Sequence, residues 1–576
     1  MSLPSRIPPA LSMALLILAL GVVFAAPASA QQPDALVPQS VLLDAPNEAP
    51  PGFSVTPRQA RRTVERLDKV RSELAHHPKG QVYVQLPMYG DYRGQYEVTF
   101  IDASGDGEVV ADVFVDGHTG RVTEVWTGPQ AGTLLARGLE PSVGRSLNKL
   151  YIWLPLAVLF LLPFVDPRRP FRLVHLDLLV LLSFGVSQLY FNKGEIDVSV
   201  PLVYPPLLYL LARVLLAGFR PRERGEPLMP YAKAPWLIVG LGLLVAFRIA
   251  LNIVDSNVID VGYASVVGAD RIMHGLPLYV LNDIHGDTYG PVNYLSYIPF
   301  VALLPWDGSW GAVVPAHAAA ITFDLLVVGG LVQLGRRMRA GAQGTLLGLA
   351  FAWAWAAYPF SVFALQSNTN DALVAALLVG ALLAISSPSG RGLLIGLGTA
   401  AKFAPLALAP LFATGLGDER RLRAWPAFGT ALVAVCLGSV VLLLPDGGWG
   451  EFYDTTIGFQ LGRTSPFSLW GMHSSLDWLQ AVGKVGAASL VVLVAFVPRR
   501  RDLRQVAALA AGVLIALQIV TPHWFYFYLV WIGPPILVAV LGAYRGPARV
   551  EATPVAPPDP VWEFSSSHKV AVKAFH

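Results

Sequence analysis

Cysteine is almost absent: Cys436 is the only one in 576 residues, and it sits inside an apolar run. A single thiol cannot close an intramolecular disulfide or build a cysteine-based metal site, and in that setting it reads as a small buried hydrophobe. Charge is scarce too, at 14% of the chain against 54% hydrophobic residues. That balance excludes an ordinary soluble protein of this length. The arginines stand in short clusters between apolar runs, not in one patch able to hold a polyanion, so nucleic acid is not an expected partner. No Walker, Rossmann or zinc-ligand spacing occurs, which disfavours an ATP-driven pump or a nicotinamide enzyme. What remains is a polytopic α-helical membrane protein, with the lipid bilayer as its first partner.

The N-terminus places Arg6 before the apolar "ALSMALLILALGVVFAA" and the small residues Ala28-Ser29-Ala30, the pattern of a secretory signal over residues 1–30. An uncleaved anchor is the alternative, and either one exports residues 31–148. In that segment Thr56-Pro57 offers an N-cap and first-turn proline to a helix with Val64, Leu67, Val70 and Leu74 along one face. Alternating runs follow, "QVYVQL", "QYEVTFID", "VVADVFVDG" and "TGRVTEVW". They predict a helix laid on a small antiparallel sheet, a compact α+β extracytoplasmic domain. His76, His77 and His118 read as solvated surface residues. The hairpin "VFVDGHTGRVTEVW" resembles PepSY-type exported modules over about 50 residues.

Three accessory membrane helices are expected over residues 149–235, each run close to the ~20 residues needed to cross. "DPRRPFR" and "RPRERGEP" mark cytoplasmic turns and "NKGEID" an outer one. A fourth helix, about 236–254, then delivers Asp255 and Asp260 to the outer face. Farther on, "RRMRAG", "DERRLR" and "RRRDLR" mark cytoplasmic turns, which puts "SNTND", the loop from 445 to about 475 and "TPHW" on the Asp260 side. On this reckoning "VNYLSYIPFVALLPW" lies along the outer interface, and "GLLIGLGTAAKFAPLALAPLFATG" is two short helices broken near Lys402 and Pro405. The total is about 12 transmembrane helices, with a disordered tail at 546–576. Arg248 and Asp324 fall in mid-helix, each expensive alone, and are expected to pair. Trp353, Trp355 and Tyr358 are expected to pack.

The polar centre of the chain is the loop 255–310, rich in aromatics and carrying Asp255, Asp260, Asp270, Asp283, Asp287 and Asp307 between two apolar stretches. Its "IDVGYASVVGADRIMHGLPLY" and "TYGPVNYLSYIPFVALLPW" resemble the first outer loop of GT-C membrane glycosyltransferases, most closely the family 87 polyprenyl-phosphate-mannose-dependent mannosyltransferases. "AYPFSVFALQSNTNDALVAALLV", "GTAAKFAPLALAPL" and "VTPHWFYFYLVW" follow in that family's order. The likeness spans about residues 236–545, read as a GT-C-like catalytic core.

The resemblance implies an inverting transfer of a sugar, mannose by preference, from a polyprenyl phosphate donor to an extracytoplasmic glycan or glycolipid acceptor. The first-loop Asp maps onto Asp260 as general base; Asp255 is the alternative base, and an N-cap or solvated carboxylate the plain reading of either. A lipid phosphate leaving group needs cationic stabilisation. Arg271, Lys402 and Arg463 are candidates for it, with His523 a phosphate contact or proton-transfer helper. If residues 260–274 are helical, Asp260 and Arg271 share a face roughly 16 Å apart. Tyr263, Tyr279, Tyr289, Asn370 and Asp371 are candidate substrate contacts. Asn370-Asp371 stands where distant GT-C relatives hold an acidic metal-binding pair, so no cofactor is expected and a divalent metal is left open. A transporter or lipid-linked saccharide flippase is the competing class, against which the absence of an internal repeat counts. A non-catalytic assembly protein is the third reading.

Overall fold

A computed structural model describes residues 40–42, 46–77, 80–87, 94–102, 109–127, 131, 144–192, 195–279, 288–308, 313–417, 421–462 and 465–545. The expected signal segment, the tail, Asp283, Asp287 and Arg463 lie outside these residues.

The N-terminal segment folds as a five-stranded antiparallel meander carrying two helices. Val98 pairs with Val113 and Phe100 with Ala111 across the central strands, and this face packs under Ala60, Val64 and Val70. Thr56 caps the first helix, Pro57–Glu65, reciprocally with Gln59. The single helix expected here is divided. Leu67 takes an extended conformation and a second helix, Asp68–His76, begins at the acidic residue that follows it. His77 is not simply solvated, since its Nδ1 lies 2.7 Å from the Asp102 carboxylate. Trp126 meets Phe191 edge-on, joining the sheet to the helical bundle.

Seven helices among the described residues are long and apolar enough to cross a membrane, and the bent pair Gly341–Ala357 and Pro359–Gln366 would make eight. The expected total of about twelve counts shorter apolar helices as well. The apolar helices Leu150–Phe164, Asp371–Leu383, Ala404–Thr414 and Tyr526–Leu541 are each shorter than 18 residues, and a helix of 13 residues rises only ~20 Å. The outer faces are those of a membrane protein: Val433, Leu437 and Val441 on one helix, and Val482, Val485 and Val492 on another, are all exposed.

Inside the bundle the two mid-helix charges meet. Arg248 reaches Asp324 at 2.5 Å, Trp355 donates to the same carboxylate at 2.8 Å, and Ser361 takes a further guanidinium N–H at 2.9 Å. All four are buried, so a pair costly in lipid is satisfied by protein. Trp353 and Tyr358 also pack, donating to the carbonyls of Leu159 and Leu181.

The two ends of the bundle differ in chemistry. At one end arginines tie the turns together: Arg172 to Pro227 O, Arg337 to Leu383 O, Arg339 to Gly542 O and Arg501 to Thr414 Oγ1. At the other end lie the starts of Asp260–Met273, Pro291–Leu295 and Asp371–Leu383 and the segment 520–528. Pro388–Ala401 runs from the arginine end to this one, breaks at Lys402, and returns through Ala404–Leu408 and Ala409–Thr414. The break near Lys402 and Pro405 that the sequence predicts is therefore present.

Candidate active site

Three pieces of chain are stitched together to place the polar residues. Gln366 to Asn370 follow a 57° bend at Tyr358-Pro359, where the proline cannot continue the preceding helix. Asn368 takes a left-handed conformation (φ 49°), and its amide bonds Asn257 O at 2.8 Å and Ser256 Oγ at 3.1 Å. Asparagine tolerates that region because its short polar side chain can bond locally. Backbone bonds from Asn257 to Gln366 O and from Ile259 to Ser367 O bring Asp260, the first residue of its helix, alongside this bend. Gly262 allows the approach, since a Cβ there would fall 2.3 Å from Asn368 O. Gly290 does the same for Tyr289: a Cβ would sit 2.1 Å from Ala400 O, next to the Lys402 break.

The result is a cavity of about 700 Å³, within the range of small-molecule and cofactor sites. Asp260, Tyr289, Asp371, Lys402 and His523 all line it. Lys402 Nζ lies 2.6 Å from Asp371 Oδ1, and the Trp531 indole donates to that oxygen at 2.8 Å. The ammonium is further flanked by the rings of Tyr289 and Trp531, at 5.3 and 5.4 Å from their centroids. Lys402 thus enters the cavity already matched by a carboxylate, a pairing the sequence reading did not foresee. His523 Nδ1 lies 2.7 Å from Ser465 Oγ.

Asp255, Arg271, Tyr263, Tyr279 and Asn370 stand outside this lining. Asp255 faces Arg145 at 3.7 Å instead of the cavity. Arg271 turns to the carbonyl of Pro277 at 2.8 Å and closes the end of its own helix. Tyr263 packs edge-on against Trp306. Tyr279 supports the wall from behind, donating to Tyr289 O at 2.9 Å and packing on Phe452. Asn370 is buried behind Asp371, donating to Asn293 Oδ1 at 2.8 Å; Asn293 in turn donates to Ser265 Oγ at 2.9 Å. Burial raises the carboxyl of Asp270, lower on the Asp260 helix, above its usual range, partly opposed by His274 at 3.4 Å.

Several lining residues were not singled out from sequence: Trp531, Thr288, Gln460, Lys484 and Gln518. Gln460 donates to Thr288 Oγ1 at 3.3 Å. The one available signal was a lone lysine in the apolar run "QAVGKVGAASLVVLVAF". Among the described residues no group of three or more His, Cys, Asp or Glu side chains could hold a metal ion. Asp371 Oδ1 is occupied by Lys402 and Trp531.

Comparison with known proteins adds one finding. Residues 288–543 match the model of glycosyltransferase family 87. No curated protein matches the chain. The family 87 segment contains Tyr289, Asp371, Lys402 and His523 and begins after Asp260, so four of the five expected cavity residues lie inside it.

Proposed function

We propose that this chain is an integral membrane glycosyltransferase that moves a sugar, mannose being the expected one, from a polyprenyl phosphate to an extracytoplasmic glycan or lipid acceptor with inversion. One observation carries the reading: a single cavity joins a carboxylate at a helix start, a lysine and a histidine to a long apolar wall, within a segment similar to glycosyltransferase family 87. The arginine-tied turns lie at the opposite end of the bundle. Arginine-rich turns stay in the cytoplasm, which supports an outward-facing cavity.

Asp260 takes the proton of the acceptor hydroxyl as its oxygen bonds to the anomeric carbon. The bond from that carbon to the phosphate oxygen breaks on the opposite face, and the lipid phosphate leaves with the electron pair. His523 and Lys402 offer N–H groups to the departing oxygens. Because Asp371 balances the Lys402 charge, this pair orients the phosphate more than it neutralises it.

The test is transfer of radiolabelled mannose from polyprenyl-phospho-mannose to membrane acceptors by the purified protein, comparing wild type with Asp260→Asn. Loss of a general base lowers the rate by about 10²–10⁴-fold, with donor binding retained. Equal turnover would reject the assignment.

A further inference from the structure

The cavity lining contains a cation that the scheme above leaves unused. Lys484 lies on Asp477–Phe496, a helix whose outer face exposes Val482, Val485 and Val492. That helix belongs to a span only 22% buried, so it faces lipid along most of its length. Lys484 is exposed and lines the cavity. It reaches back one turn, and its Nζ donates to Gln480 Oε1 at 3.0 Å. Gln480 is itself fixed, its amide donating to Val520 O at 2.9 Å on the neighbouring helix. Among the described residues no carboxylate lies within ion-pair distance of Lys484, in contrast to Lys402.

An ammonium in an apolar span is costly unless an anion or water meets it. The wall beside Lys484 is formed by Leu406, Pro410, Val491, Leu514 and Leu517, which offer nothing for a charge and a great deal for a hydrocarbon chain. We infer that Lys484 is a binding residue for the anionic lipid donor, pairing with its phosphate where the isoprenoid chain passes between lipid and the apolar wall. This rests on the polyprenyl phosphate reading above. Gln480 aims the ammonium, and Lys402, neutralised by Asp371, leaves that charge to be met at Lys484.

The test uses the full-length protein in nanodiscs of zwitterionic phospholipid. Binding of fluorescent polyprenyl monophosphate and of the uncharged polyprenol is compared for wild type, Lys484→Gln and Lys484→Arg, with inorganic phosphate as competitor. Lys484→Gln is expected to weaken the monophosphate about tenfold, the loss of one charge-assisted hydrogen bond, and to leave polyprenol within about twofold. Lys484→Arg restores binding, inorganic phosphate does not displace the lipid, and in turnover KM rises with kcat nearly unchanged. If the Gln variant does not fold, Gln480→Leu replaces it, with a smaller loss expected for the monophosphate alone. Unchanged monophosphate binding, an equal loss for polyprenol or displacement by inorganic phosphate overturns the assignment while the donor reading stands. Failure of the wild type to bind the monophosphate overturns both.

Discussion

The Lys402–Asp371 pair offers the sharpest test of how the cavity is held. Both side chains are buried, 11% and 2% exposed, at a separation of 2.6 Å. Asp371 has the Trp531 indole as its second donor, and Lys402 has two aromatic faces. Lys402→Met leaves the carboxylate with one neutral donor, and breaking a buried pair in this way costs about 3–5 kcal/mol. Asp371→Asn leaves an ammonium beside two rings, which recover about 1–2 kcal/mol, so it should be the milder change. The double variant leaves no buried charge and keeps a side chain able to accept from Trp531. It should therefore be more stable than the sum of the single losses predicts, by about 2–3 kcal/mol. The assay is a double-mutant cycle on the purified protein, following denaturant unfolding in detergent with Trp fluorescence. Single losses below about 1 kcal/mol that simply add would show the pair is wet and loosely held, and the argument that Lys402 is neutralised would fall with it.

Three further outcomes follow. Arg248→Met should cost about 3–5 kcal/mol by stranding Asp324, whereas Arg248→Met with Asp324→Leu should recover most of the folded yield, measured by size-exclusion chromatography. Gly290→Ala forces a methyl group to within 2.1 Å of Ala400 O; it should cost about 1–3 kcal/mol and depress transfer by moving Tyr289, and a variant of wild-type activity would contradict the close approach. Asp270 has its folded pKa raised by burial, so the native state holds that proton more tightly than the unfolded chain and ionisation at neutral pH subtracts stability. Asp270→Asn should raise the melting temperature at about pH 7, and the gain should vanish as the pH falls toward the ordinary carboxylate value of about 3.9.

What could be read from the chain alone follows from the cost of charge in lipid. Arg248 and Asp324 each stand inside an apolar run, so each predicts the other. Lys402 close to Pro405 predicts the break that the structure contains. Asp260 and His523 were legible as members of one site because both sit where an apolar run ends. The sequence could not supply the partner of Lys402. Asp371 is 31 residues away and Trp531 a further 160 beyond Asp371, and only the bend at Tyr358-Pro359 and the return at Lys402 bring them together. Asp255 illustrates the same limit from the other side: only five residues before Asp260 in the chain, it faces Arg145, a residue far earlier in the sequence.

Lys484 shows why a charge rule needs geometry to become an assignment. In the sequence it is one lysine in a lipid-facing helix, and such a residue commonly directs its amine to the nearest surface along its own stem. In the fold that route is held by Gln480, one turn earlier on the helix and itself pinned to Val520 O, and Lys484 lines the cavity. The distinction has a measurable consequence. An amine that merely reaches the surface would tolerate glutamine with no change in lipid discrimination, while one fixed at the cavity wall should separate a phosphorylated isoprenoid from its alcohol.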